Sequence, residues 1–538
     1  MQSSKAGLLF LLIPAPCFGA SPLRAPPLPD VGRERAVTGP VRRTGPAAEA
    51  RQALPSSASV RVAAVVVEGM PQLGGDKFAS AISPFIGQDL DEVRLRRLAD
   101  AVASQARELG YPFVAVRIAP QPVEAGILKV TLYDTRIDAV RVRPDLPGVA
   151  AALEPLTAGR PLSTGRLERQ LLLAGDVPGV ELRDVRYRTE AGRNLLDVTA
   201  VSDPLAGALA IGNDGSVATG RWRASAEVTF NRPFTRADQL TLFALGTPTQ
   251  PNRLFFGYGR YGLQVLPSGL ELAVSGAYSR SRPAGLLRVV DSRSEAWQLG
   301  AEVSYPLARS RKASVWTTVT AEVQDSELVQ LDFLTRADRS FIVSAGLSGF
   351  VQTTAGRVRG GVSVSQGIDA LGATPADNLR ASRAGVAPDF TTIALWAETV
   401  LDVAPRVSLA LRAESQWSAG PLLIGQKLSL GGRRSGRGYD YGERSGDRGA
   451  LGSAELRWTA YRSNALSIEP YIYGDGGRLI DRDRFESNAG DLASAGGGAR
   501  VRFAGMELAA ELAVPLTGPR FESGSKRPRV NLGLTRRF

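Results

Sequence analysis

From Pro204 to the C-terminal Phe538 the chain alternates apolar and polar residues, in stretches divided by clusters of Gly, Pro, Asn and Asp, and no helical period interrupts them. A period of two is a strand signature, because successive side chains leave a pleated backbone on opposite faces. Candidate strands begin near residues 205, 220, 238, 253, 268, 293, 313, 338, 356, 389, 405, 451, 466, 491, 506 and 528, sixteen in all. An even number lets an antiparallel sheet close on itself, and about 21 residues per strand and connection suits a membrane barrel. In the fifth stretch Leu272, Val274 and Tyr278 share one face while Glu271, Ser275 and Ser279 share the other; Val315, Val319 and Val323 likewise oppose Thr318, Thr320, Glu322 and Gln324. One face suits lipid and the other water. A soluble sandwich or propeller also alternates. Against it stand the length of the helix-free run, the small apolar residues on the outer faces, and the fall of all six Trp (222, 297, 316, 396, 417, 458) after residue 204. Trp316 shares parity with Glu322 and belongs to the wet side, so interfacial aromatics carry only part of this argument.

Composition narrows the chemistry. No uninterrupted apolar run reaches the roughly 18–20 residues of a membrane-spanning helix, so any crossing must use strands. The chain has no His and a lone Cys17, which removes imidazole bases, histidine and cysteine metal sites and paired-thiol chemistry. No nucleophile–base pair can be assembled, and an enzyme is not expected. The formal charge of +12 fits nucleic acid, anionic lipid, lipopolysaccharide or an Arg-rich surface, and alone does not choose. Gly257, Gly259 and Gly262 match a dinucleotide-binding pattern, but they alternate like a strand and no helix follows; no cofactor is expected. Asp481, Asp483 and Glu486 read as a solvated turn before a divalent-cation site, so no metal is expected either.

The N-terminal third is organised differently. Lys5, the apolar stretch 7–13 and the small residues Gly19 and Ala20 fit a secretory signal over 1–20, the alternative being an unstructured leader. Residues 21–58 carry seven prolines, too many ring-locked positions for a long helix, and read as a linker or short plug. Over 59–134 the pattern is strand, helix, helix, strand, strand. Asp89 and Glu92 have capping-box spacing, Leu95, Leu98, Val102 and Leu109 recur on one face, and Gly110 closes that helix. The same order repeats over 135–203, with a strong helix at 164–174. Two small α+β modules therefore precede the strands of 204–538.

The longest inter-strand segment, 430–449, reads LGGRRSGRGYDYGERSGDRG, too glycine-rich for a strand and too charged to face lipid. Downstream, 471–477 reads YIYGDGG, and parity places Ser467, Glu469, Tyr471, Tyr473 and Asp475 opposite Ile468 and Ile472, so Asp475 points into the lumen. A carboxylate in a partly dry site needs a partner, since stranding one member of a buried pair costs about 3–5 kcal/mol. Arg437, on a loop long enough to fold inward, is a candidate.

At these residues the chain resembles the two-partner secretion transporters, the outer-membrane family of haemolysin activators and filamentous-haemagglutinin transporters, within the superfamily of barrels preceded by POTRA domains. Gly436, Arg437, Gly438 and Tyr439 match the family's Val-Arg-Gly-Tyr loop motif with Gly at the aliphatic position, and Tyr473, Asp475 and Gly477 match Phe-x-Asp-x-Gly with Tyr for Phe. The strand count puts the loop between strands eleven and twelve and Asp475 on strand thirteen, as the family requires. Glu68, Gly69, Gly87, Gly110, Tyr111 and Gly126 look like the first POTRA domain, and Asp176, Pro178 and Gly179 like the second. Asn213, Asp214, Gly215, Thr219, Gly220 and Arg221 resemble the start of the family barrel. Phe538, in parity with Val530, Leu532 and Leu534, looks like the C-terminal signal read by the outer-membrane assembly machinery. One departure is the proline-broken 21–58, where many members carry a plugging helix.

The resemblance implies two POTRA domains in the periplasm, a sixteen-stranded antiparallel barrel in the bacterial outer membrane, and export of a large, unfolded, haemolysin- or haemagglutinin-like exoprotein without ATP. Arg437 and Asp475 would hold the long loop in the pore. Lipid, lipopolysaccharide and the assembly machinery are the other expected partners; nucleic acid is not. An assembly factor that inserts other barrels, which shares both motifs, is the alternative. A passive porin would leave the POTRA-like modules without a task.

Overall fold

A computed structural model describes residues 42–43, 60–133, 136–482 and 488–538. The expected signal at 1–20 lies outside these residues, and so does the linker 21–58 apart from Arg42 and Arg43, which form a two-residue strand running parallel to Val180–Glu190. The chain divides into two compact units, one holding both α+β modules and the other the strands from Asp203 onward.

In the first module the strand expected over 60–68 is two pieces, Val60–Arg61 and Ala64–Glu68; the second joins Ile127–Tyr133 and Ala115–Arg117 in a three-stranded sheet. The main helix is Glu92–Glu108, and its cap is Asp91, whose side chain accepts from the Arg94 N–H. The expected cap, Asp89, is instead paired with Arg61 in a short ladder, and that pairing delays the helix start by two residues. Leu95, Leu98, Val102 and Ala106 bury one face of this helix against Val65, Val67, Leu128 and Val130 of the sheet. The second module repeats the design. Helices Pro147–Leu153 and Thr164–Gly175 cover the sheet of Ala139–Arg143, Arg193–Ser202 and Val180–Glu190, and Leu153, Leu171, Leu182 and Leu196 sit in its core.

The second unit is a closed barrel. Its sixteen long strands run from strand 1, Leu205–Gly212, to strand 16, Arg529–Arg537, each paired antiparallel with its sequence neighbours. The short piece Tyr461–Arg462 extends the pairing of strand 12, Arg448–Trp458, with strand 13, Leu466–Ile480. Strand 16 returns to strand 1 through the pairs Ala208–Arg537 to Gly212–Gly533. Phe538 continues this seam, exchanging two main-chain hydrogen bonds with Gly207 at 2.9 and 3.1 Å. Closure leaves no unpaired edge in the hydrocarbon, the condition for a sheet to cross a bilayer.

Parity holds around the wall. Leu272, Val274, Tyr278 and Ile472 face outward and are exposed, whereas Trp316 and Tyr473 face inward and are buried. Outward aromatics form two belts: Phe255, Tyr278 and Trp297 toward the distal end, where odd strands finish, and Trp458, Tyr461, Phe503 and Phe538 toward the proximal end. One expectation fails in detail. Helix is not absent after residue 204, since Leu286–Val289 makes one helical turn in a distal loop, too short to change the architecture.

Candidate functional site

The segment between strand 11, Val407–Ser418, and strand 12 folds back as a hairpin. Leu428–Leu430 pairs with Arg444–Gly446, and the tip between them enters the lumen. Tip residues cannot reach lipid, so every polar group must find a partner on the inner wall or in neighbouring loops.

Arg437 finds several. Its Nε lies 3.2 Å from Asp475 on strand 13, while Nη1 is 2.8 Å from Glu455 on strand 12 and 3.0 Å from Glu511 on strand 15, Met506–Pro515. The Arg437 main-chain N–H also donates to Asp475, and the Ser494 hydroxyl of strand 14, Gly490–Phe503, donates a short bond to the same carboxylate. The guanidinium carbon sits 3.9 Å above the Tyr473 ring. A second storey stands beside it: Arg500 lies 4.0 Å above Tyr471 and bonds Glu455 at 2.7 Å and Glu469 at 3.2 Å, while Arg457 bonds Glu455 at 2.7 Å. Burial by itself would lower the Arg437 pKa, but Glu511, Glu455 and Asp475 outweigh it and hold the group charged, above its ordinary value. The planar guanidinium suits this seat because it stacks on the ring with its face and reaches carboxylates with its edge.

The remaining motif residues complete the fit. The Gly438 N–H donates to Ser494 Oγ at 3.1 Å, and a Cβ on Gly438 would lie 2.9 Å from the Pro515 nitrogen, so only glycine passes this close to the wall. Tyr439 is almost fully buried; its hydroxyl donates to the Gly518 carbonyl at 3.2 Å and accepts the Thr517 and Gly518 N–H groups. Gly477 pairs with Leu451 one step above Asp475. Arg520 closes over the tip, its Nε donating to the Gly438 carbonyl at 2.7 Å. Asp440 and Arg433 reach the seam, Asp440 bonding Arg529 of strand 16 at 2.8 Å and Arg433 lying 3.7 Å from Asp214 after strand 1.

The sequence-derived residues Arg437, Gly438, Tyr439, Tyr473, Asp475 and Gly477 thus come together, and Phe538 lies apart, its ring outward over Gly207. Sequence reasoning missed Glu455, Glu511, Ser494 and Arg520. The first three face inward on strands 12, 15 and 14, and the parity applied to strand 13 would have found them had it been carried across the register Glu455–Tyr473–Gly496. Arg520 lies in a loop, which has no parity to read. Of the weaker motifs, Gly257, Gly259 and Gly262 lie on strand 4, Leu254–Val265. Asp481 is held by Lys427, and Asp483 and Glu486 lie outside the described residues. Among the described residues no group of His, Cys, Asp and Glu is arranged to hold a metal.

A closed sixteen-stranded barrel with an Arg-bearing loop docked on the wall defines a class, and comparison with known sequences names the family. Residues 196–501 match the haemolysin secretion/activation protein ShlB/FhaC/HecB family and residues 60–135 match the ShlB-type POTRA domain, so the chain belongs to this family. It is an outer-membrane transporter of two-partner secretion, with POTRA in the periplasm and a large exoprotein as its partner. Among its relatives is the outer membrane transporter CdiB of Escherichia coli O6:K15:H31 (strain 536 / UPEC), 26% identical over 452 residues, which covers 78% of this chain and 73% of the relative. The structure of CdiB from Escherichia coli superposes with a TM-score of 0.76 at 20% identity over 90% of this chain and 91% of that one. That of CdiB from Acinetobacter baumannii gives 0.66 at 17% identity, over 90% and 91%. These structures share the fold.

Proposed function

We propose that the luminal loop is the gate of this transporter, with Arg437 as its bolt and Asp475, Glu455 and Glu511 as the keeper. The observation that carries the reading is the convergence of three carboxylates, from three strands, on one loop guanidinium. These are gating residues, and no catalytic step is assigned to the chain. The two α+β modules, 59–134 and 135–203, act as POTRA domains after a signal at 1–20 and a linker at 21–58. An extended segment of the unfolded client adds to an open sheet edge by main-chain hydrogen bonds, which accept any sequence, while flanking helices supply selectivity. The barrel, 204–538, is the conduit. Folding of the client outside supplies direction, since no nucleotide reaches this compartment.

Phe538 is the residue read by the assembly machinery, and the outward aromatic belts and rim arginines meet lipid and lipopolysaccharide. Export is the test. Arg437→Ala and Asp475→Ala should each abolish secretion of the partner while the barrel still shows heat-modifiable mobility; undiminished secretion by both would remove the gate.

A further inference from the structure

The loop hairpin is held in two different ways along its length. At its root, beside strand 11, the Asp447 carboxylate accepts Arg383 Nη1 at 2.6 Å, the Leu422 N–H at 2.9 Å and the Arg482 N–H at 2.8 Å, and the Arg383 and Asp447 side chains are 1% and 0% exposed. Lys427 meets Asp481 at 2.8 Å with 3% and 1% exposed. Gln416 of strand 11 donates to the Gln426 and Asp447 carbonyls at 3.0 and 3.1 Å. Parting such pairs would strand charges in dry surroundings.

The tip, 431–443, differs. It is bounded by Gly431 at φ +116° and Gly442 at φ +68°, conformations that favour glycine and mark where a backbone turns at low cost. Its cations are wetter, with Arg437 12% and Arg433 26% exposed, although the carboxylates facing Arg437 are themselves buried. Its seat also compensates itself in part: with the tip withdrawn, Glu455 keeps Arg457 and Arg500, Glu511 keeps the Tyr471 hydroxyl and the Asn531 amide, and Asp475 keeps the Ser494 hydroxyl.

We infer that Arg383–Asp447 and Lys427–Asp481 are positioning pairs that fix the loop root throughout transport, and that the conduit opens by release of the glycine-bounded tip alone. The inference rests on the loop being the gate, and two cross-links separate the claims. A Cβ on Gly446, in the root, would lie 2.9 Å from Leu479 Cβ on strand 13; a Cβ on Gly438, in the tip, would lie 3.0 Å from Ser494 Cβ. Both are shorter than the roughly 3.5–4.5 Å that a disulfide spans, and either Cβ also crowds backbone, at Ile480 and at Pro515, so each link forms with the loop lifted slightly from the wall. The full chain carrying C17S and either G446C/L479C or G438C/S494C is inserted in planar bilayers, and its potassium chloride conductance is recorded under oxidant and then reductant, each reduced variant serving as its own folding control.

The expected result is that the reduced tip variant opens more readily than wild type, because a side chain at 438 crowds the wall and loosens the seat. Oxidising the tip pair should remove those openings reversibly, and oxidising the root pair should leave gating unchanged. Silencing by both links overturns the inference but leaves the gate, since the whole loop must then leave. Silencing by the root link alone, by neither link, or a wild-type chain that never conducts overturns gate and inference together. Should the reduced root variant fail to fold, Asp447→Asn replaces it. Raised open probability with heat-modifiable mobility intact is then expected, and gating like that of the wild type overturns the inference.

Discussion

Tyr473 shows how a single residue can be read against its surroundings. Its ring carries Arg437, but its hydroxyl is buried with no hydrogen-bond partner among the described residues. A buried unsatisfied hydroxyl costs about 1–3 kcal/mol. Tyr473→Phe should therefore keep secretion and match or exceed the wild-type thermal stability, whereas Tyr473→Ala should lose the loop's seat; a Phe variant markedly less stable than wild type would contradict the assignment. Glu455 is the opposite case. It serves Arg437, Arg457 and Arg500 together, so it joins the loop to the wall's own charges.

At the scale of elements, the pore loop is fastened to loops as well as to strands. Glu443, on the tip, accepts the Phe521 N–H of the last distal loop, and its own carbonyl accepts the Asn488 amide at 3.2 Å. Burial pushes this carboxyl up from 4.5 to about 7; the Phe521 N–H and Arg444 oppose the rise and Asp440 adds to it. A carboxyl whose docked pKa lies above its undocked value takes up a proton on docking, so docking weakens as pH rises from 4.5 to about 7 and is level above that. Hydrogen exchange at the Phe521 amide should accelerate over that window beyond its intrinsic pH dependence, and Glu443→Gln should abolish the excess. The same excess in the Gln variant would place the titrating group elsewhere.

For the whole molecule, a two-partner secretion transporter works with a large exoprotein as its partner. Depleting the protein from its cells should remove one large protein from the culture fluid and leave the outer-membrane profile unchanged. A general build-up of misassembled barrels would indicate the assembly factor instead. The architecture is legible in the sequence, because closure around water and lipid imposes a period of two on every strand, and sixteen such stretches can be counted. The alternation predicts a strand from residue 466 with Asp475 facing inward, and strand 13 begins at Leu466 with Asp475 on its buried face. The helix start at Asp91 was missed because Asp89 had a pairing partner far along the chain, at Arg61.

What the chain alone determined is periodic and local: which face of each strand meets lipid, where turns fall, and which loop is too charged to leave water. What only the tertiary structure decided is which carboxylates meet at Arg437. Glu455 and Glu511 stand 18 and 74 residues away from it, and their height on the wall depends on the accumulated register of the strands between. A register is a sum of many small pairings, so the coincidence of four side chains at one level of a closed cylinder exists only once the cylinder has closed.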